Sequence, residues 1–137
     1  MNRYALDACA LLALLRDEPG ADKVAAIINT ANNGEANIIM HKANLLEVYY
    51  DVHRIIGKEK SDLILTEIKK WPIIINAEIT DKIFEEAGRL KSSYKISLAD
   101  SFALAQALTT DSELLTSDHH ELDVIESNEN IRFNWAR

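Results

Sequence analysis

Apolar residues along the chain follow two spacings, which predict helices and strands in alternation. In six segments they recur three or four positions apart, as is typical of amphipathic or buried helices. Between these segments lie short apolar runs that predict strands, the third of them buried and the last at a sheet edge. The predicted helices are 8–15, 21–31, 42–56, 59–70, 80–92 and 97–108, and the predicted strands are 3–7, 36–40, 73–75, 113–116 and 131–133.

This alternation predicts an α/β fold with a central parallel sheet of four to five strands. Parallel strands must be joined by crossover connections, and helices in those connections cover both faces of the sheet. A chain of 137 residues, 47% of them hydrophobic, suits one domain covering residues 1–137. No segment approaches the roughly 20 apolar residues that a bilayer span needs. We therefore expect a soluble, cytoplasmic protein.

The net charge of the chain bears on whether it binds nucleic acid. Its net charge is -7, with 22 acidic and 15 basic residues. A protein that coats nucleic acid needs a broad basic face, so this class is disfavoured. Nucleic acid as a substrate is still compatible with the charge, because divalent cations held by carboxylates reverse the local field.

Four acidic residues are predicted to meet at one edge of the sheet. Asp7 follows the first strand and Asp118 follows the fourth, and ligands of parallel sheets bind beyond such carboxyl ends. Glu47 lies on the helix that follows the second strand. Asp100 lies in a nearly apolar helix, where an unpaired carboxylate is unfavourable. Each acid also has a structural explanation. Asp7 and Asp118 would suit helix N-caps, and Asp100 would suit a capping box that begins at Ser97. Glu47 would suit a solvated helix face.

The meeting of four carboxylates would favour a bound cation. Like charges raise one another's pKa, and a cation compensates for their repulsion. Oxygen ligands in this number suit Mg²⁺ or Mn²⁺. An alternative zinc half-site at His119 and His120, with Glu121 and Asp123 nearby, lacks a cysteine or a spaced histidine to complete it.

Four sequence segments together resemble the PIN-domain family, and within it the ribonuclease toxins of VapBC-type toxin-antitoxin pairs. They are 4–7 (YALD), 44–48 (NLLEV), 97–105 (SLADSFALA) and 114–121 (LLTSDHHE). The resemblance implies a three-layer α/β/α fold and Mg²⁺- or Mn²⁺-dependent hydrolysis of RNA. It also implies a homodimer and a small antitoxin partner. By motif position, the family's catalytic metal ligands correspond to Asp7, Glu47, Asp100 and Asp118.

Two features depart from the family pattern. Many relatives have a serine or threonine just after the first aspartate, where this chain has Ala8 and Cys9. We expect the hydroxyl to be missing or to be supplied by Thr116 or Ser117. The segment 40–42 (MHK) also differs from the small residues that are common before the second motif.

Other functions also fit parts of the pattern. A solitary PIN-domain nuclease, a magnesium-binding receiver domain or an interaction module without toxin activity would each use the same acidic edge. A phosphatase with an aspartyl nucleophile wants a second aspartate two residues after Asp7, and that position is Cys9. Its apolar neighbours predict that Cys9 is a buried, inert thiol.

Overall fold

The computed structural model describes all residues from 1 to 137, with five strands and seven helices. The strands are β1 (Asn2–Leu6), β2 (Ala36–His41), β3 (Ile74–Asn76), β4 (Glu113–Thr116) and β5 (Phe133–Trp135). The helices are α1 (Ala8–Leu15), α2 (Ala21–Asn32), α3 (Lys42–Ile56), α4 (Lys58–Ile68), α5 (Asp81–Ser93), α6 (Leu98–Thr110) and α7 (His119–Asn128).

The five strands form one parallel sheet in the order β3-β2-β1-β4-β5. The first strand is therefore central, with β2 on one side and β4 on the other. Leu6 of β1 pairs with Leu115 of β4, so these two strands end nearly level. The predicted α/β class with a central parallel sheet is confirmed.

Helices cover both faces of the sheet and make two main hydrophobic cores, with a small third cluster between α5 and α6. Side chains of α1 to α4 pack on one face, and those of α5 to α7 pack on the other. Alternation along β1 sends Tyr4 and Leu6 into the first core and Ala5 into the second. Along β4, Leu115 and Leu114 divide in the same way. The result is the three-layer α/β/α arrangement that the resemblance implied.

The structure corrects two predictions about strands. The expectation that the third strand is buried is wrong, because β3 lies at an edge of the sheet and Ile74 is 59% exposed. The fifth strand does lie at the other edge, but it begins two residues later than the predicted range 131–133. Ile131 is buried ahead of the strand, so its apolar character reflects core packing and not strand pairing.

Helix α3 begins at an unusual capping residue, His41, which is buried. Its Nδ1 accepts a hydrogen bond of 3.0 Å from the Ala43 N–H. The proton therefore lies on Nε2, which donates to the Glu78 carbonyl at 2.9 Å. The ring also stacks on Phe102, with 4.7 Å between ring centroids. The departure at residues 40–42 thus has a structural role, because His41 fixes the start of the helix that carries Glu47.

Replacing His41 by alanine is expected to lower the free energy of unfolding by roughly 2 kcal/mol, from the lost cap and the lost buried hydrogen bond. His41→Asn is the matched control, since asparagine is a good helix cap and should lose less. Urea unfolding at pH 7.5 would measure both variants. Equal stability of His41→Ala and wild type would contradict the capping role.

Candidate functional site

The carboxyl ends of the three central strands form the candidate site. Asp7 directly follows β1, and its N–H donates to the Leu115 carbonyl of β4 at 3.3 Å. Asp118 lies two residues beyond β4 and caps α7. Glu47 lies in the second turn of α3, and Asp100 lies in the first turn of α6. All four predicted acidic residues therefore belong to elements that begin or end at this part of the molecule.

Asp7 is the most deeply buried of the four, with 1% of its surface exposed. Its Oδ1 caps α1 by accepting from the Ala10 N–H at 2.8 Å, whereas its buried Oδ2 has no hydrogen-bond partner. Burial raises the pKa of Asp7 to about 7. The Thr116 hydroxyl and the Ala10 N–H lower this pKa, and the charges of Asp100 and Asp118 raise it further.

Asp100 lies at the start of α6, where a cap at Ser97 holds the backbone. The Ser97 Oγ accepts from the Asp100 N–H at 3.0 Å, as expected for a capping box. Burial raises the pKa of the Asp100 carboxyl to about 6, and the charge of Asp118 is the next cause. Glu121 contributes a smaller rise in this pKa. The Asp100 side chain therefore faces other carboxylates as well as its own cap.

Glu47 and Asp118 complete the set. Burial raises the pKa of Glu47, and the charges of Asp100, Asp51 and Asp118 raise it further. Asp118 accepts from the Glu121 N–H at 3.2 Å through its Oδ1. Its charge raises the pKa of each of the other three carboxyl groups. Asp100 and Asp118 therefore raise the pKa of both Asp7 and Glu47 at the carboxyl edge of the sheet, although no three of these acids form a ready-made metal site.

Three further polar residues lie near these acids. The sequence did not assign Glu121 or Asn44 to this acidic site, and it offered Thr116 only as one of two possible hydroxyl donors. Thr116 Oγ1 accepts from the Asp118 N–H at 3.1 Å, and the same hydroxyl lowers the pKa of Asp7. Glu121 adds a fifth carboxylate near Asp100. Asn44 lies one turn before Glu47 on α3, and its buried Nδ2 has no partner. The signals for Asn44 in the sequence were its polar side chain at this helix position and its place at the start of the segment 44–48.

Cys9 lies beside the site and is only partly buried, which corrects the expectation of a buried thiol. Its Sγ is 3.1 Å from the Ser117 Oγ. Burial raises the pKa of Cys9, and the charges of Asp7 and Asp118 contribute to that rise. A thiol in this setting stays protonated and is a poor nucleophile. Of the two hydroxyls considered, that of Thr116 lowers the pKa of Asp7 and that of Ser117 contacts Cys9.

The ring of His119 is held in a different way from that of a zinc ligand. Its Nδ1 is 2.8 Å from the Asp123 Oδ1, and its Nε2 is 2.8 Å from the Arg137 carbonyl. Both partners are acceptors, so both nitrogens donate, and these bonds raise the pKa of His119. No three histidine, cysteine or acidic side chains in the chain form a ready-made metal site.

None of the seven helices combines the length and hydropathy that a membrane crossing requires.

Comparisons with known proteins identify the family of this chain. The family model for the PIN domain matches residues 4–126. Among solved structures, VapBC2 of Rickettsia felis aligns with a TM-score of 0.71 and 17% identity, over 96% of this chain and 97% of that chain. VapBC-1 of nontypeable Haemophilus influenzae aligns with a TM-score of 0.71 and 15% identity, over 98% of both chains.

A third similar structure is Mycobacterium tuberculosis VapC20, described as a Sarcin-Ricin loop cleaving toxin. It aligns with a TM-score of 0.64 and 12% identity, over 94% of this chain and 98% of that chain. A search among curated proteins found no match. At these identities the solved structures share the fold, whereas the family model covers most of the sequence. The chain therefore belongs to the PIN-domain family.

Proposed function

We propose that this chain is a metal-dependent endoribonuclease and the toxin of a toxin-antitoxin pair. The observation that carries the proposal is the buried Oδ2 of Asp7, an acceptor without a donor. A buried carboxylate oxygen needs a partner. The Thr116 hydroxyl lies nearby but makes no hydrogen bond to this oxygen, and the surrounding carboxylates add only negative charge. A divalent cation would satisfy this oxygen and offset the repulsion among the acids.

The donor set fits Mg²⁺ or Mn²⁺. Carboxylate oxygens are hard ligands, and these ions keep several water molecules when bound to proteins. A site in which no three side chains are preassembled is compatible with such partial hydration. Asp7, Asp100 and Asp118 would bind the ion directly or through water. Glu47 would complete the shell or orient the attacking water.

A bound ion of this kind would activate a water molecule for attack on a phosphodiester and stabilise the charge that develops on the phosphate oxygens. The protein's part is to hold the acids in place. Asp7 is fixed by its cap on α1, and Asp118 is fixed by its own cap on α7. Burial and the neighbouring acids raise the pKa of Glu47. A carboxylate with a raised pKa is a stronger base for the proton that the attacking water would lose.

The substrate and partners belong to the same proposal. RNA is supported by the fold shared with VapC20, which is described as cleaving the Sarcin-Ricin loop. A small antitoxin partner is supported by the fold shared with the VapBC structures. We also expect a homodimer. Exposed apolar side chains, including Leu46, Tyr50 and Phe84, provide surface for such protein contacts.

The test is cleavage of defined single-stranded and hairpin RNAs by purified protein with Mg²⁺, with Mn²⁺ and with EDTA. We expect cleavage with either metal, products with 5′-phosphate and 3′-hydroxyl ends, and no cleavage in EDTA. Adding excess Mn²⁺ after EDTA should restore cleavage, which controls for damage by the chelator. Undiminished cleavage in EDTA would overturn metal dependence. Stable phosphorylation of one aspartate by a phosphodonor, without RNA cleavage, would favour a receiver domain.

A further inference from the structure

An aromatic stack lies beside the acidic residues, at the same end of the sheet. Trp135 of β5 pairs in register with Thr116 of β4, which places it at the carboxyl edge. The Trp135 ring stacks on Phe133, with centroids 5.1 Å apart, and on His119, with centroids 3.8 Å apart. Its Nε1 donates to Glu126 at 3.1 Å. Three rings therefore form a fixed stack, and His119 directly follows Asp118 in the chain.

Both nitrogens and one face of the His119 ring are already in contact with other residues, so a ligand could contact only the rest of the ring. Both nitrogens are engaged within the ring plane, by Asp123 and by the Arg137 carbonyl. One face contacts Trp135, with only 14° between the ring planes. Yet 43% of the His119 side chain is exposed. The exposed part is therefore unsuited to hydrogen bonding or metal binding through nitrogen, and it suits contact with another flat ring.

We propose that the exposed face of His119 binds a nucleobase of single-stranded RNA by stacking, next to the phosphodiester held at the acids. This inference rests on the proposed ribonuclease function. Proteins bind unpaired bases by stacking them on aromatic side chains, because every base has a flat face. Here the ring is already fixed by two hydrogen bonds and by Trp135, so little conformational freedom is lost when a base binds.

Stacking also indicates which RNA the site accepts. A base must be unpaired to lie flat on His119, so loops and single strands fit and regular duplexes do not. The contact uses the face of the base and not its hydrogen-bonding edge. It therefore positions RNA with little discrimination of sequence, beyond a preference for the larger purine rings.

The first experiment compares cleavage kinetics of wild type, His119→Ala and His119→Phe on a short RNA with one scissile bond. Loss of one stacked base corresponds to about 1–3 kcal/mol, so His119→Ala should raise KM about 5- to 150-fold. His119→Phe keeps a flat ring and should restore KM to near the wild-type value. His120→Ala is the matched control, because His120 is its exposed neighbour and takes no part in the stack.

The second experiment detects stacking without cleavage. RNAs with 2-aminopurine at single positions near the scissile bond are bound to the Asp100→Asn protein, in which cleavage is expected to be strongly slowed. Quenching of 2-aminopurine fluorescence is expected at one position, and it should be lost when His119→Ala is added. An RNA with an abasic residue at that position should be cleaved equally by wild type and His119→Ala.

The possible results separate this inference from the proposed function. RNA cleavage by wild type with unchanged KM in His119→Ala would overturn the stacking site and leave the ribonuclease proposal intact. Failure of His119→Phe to restore KM would also overturn it, since hydrogen bonds and not stacking would then explain the effect. Absence of both cleavage and binding by wild type would overturn the proposed function, and the stacking site with it.

Discussion

Replacing Asp100 by asparagine is expected to reduce RNA cleavage by roughly 10²- to 10³-fold while the protein stays folded. Asparagine has nearly the same shape but lacks the negative charge with which Asp100 would hold a cation. The cap of α6 should survive, because Ser97 bonds to the backbone N–H of residue 100 and not to its side chain. Single-turnover rates on one defined RNA with Mn²⁺, together with circular dichroism, would measure both effects.

Asp111→Asn is the matched control for this variant. Asp111 is the C-terminal capping residue of the same helix, α6. It is exposed and lies just before β4, at the edge of the sheet opposite to the acids. Its backbone has a φ of +51°, a conformation that asparagine tolerates well. We expect it to cleave RNA at the wild-type rate. Full activity of Asp100→Asn would remove Asp100 from the site, whatever the control shows.

The sequence predicted the central elements better than the edges, for a physical reason. Helix α3 was predicted with both ends correct, because its apolar spacing is regular and Gly57 follows its last residue. The run 73–75 has the same β-branched character as a buried strand, yet β3 is an edge strand. Strand order depends on contacts between segments that are distant in sequence. The local pattern of apolar and polar residues therefore does not predict which strand lies at an edge.

The same distinction applies to the candidate site. Asp7 and Asp118 were located by strand ends, and Asp100 by the unfavourable burial of a lone carboxylate. The capping role of His41 was not predicted, since histidine is not a usual cap and its partners Glu78 and Phe102 are far away in sequence. The His119 stack was not predicted either, because it is completed by Trp135 on another element.

Without metal, the protein is expected to lose stability as the pH rises from about 4 to about 7. The pKa of Asp7 is raised from 3.8 to about 7 in the folded state, chiefly by burial. Between these values the folded state holds a proton that the unfolded state has released. The stability is therefore fully present below pH 4 and lost as the pH rises through 7. The rise in pKa corresponds to about 4 kcal/mol at most.

Comparison with Asp7→Asn isolates this effect from the other acids of the chain. The amide oxygen of the introduced asparagine can still accept from the Ala10 N–H, so the cap of α1 is kept. Urea unfolding in EDTA should show the variant to be more stable than wild type at pH 8, with a smaller difference at pH 5. Parallel loss of stability in both proteins would show that Asp7 ionises as an ordinary carboxylate.

In the wild-type protein, divalent cations should reverse the loss of folding stability at high pH. A ligand that binds only the folded state adds stability that grows with its concentration, and its affinity here requires ionised carboxylates. The gain from Mn²⁺ should therefore be larger at pH 8 than at pH 5, and much smaller in Asp7→Asn at either pH. An equal gain in both proteins would place the bound ion away from Asp7. The expected instability of the metal-free site and its expected affinity for metal would thus have one cause, which is the burial of Asp7 near other carboxylates.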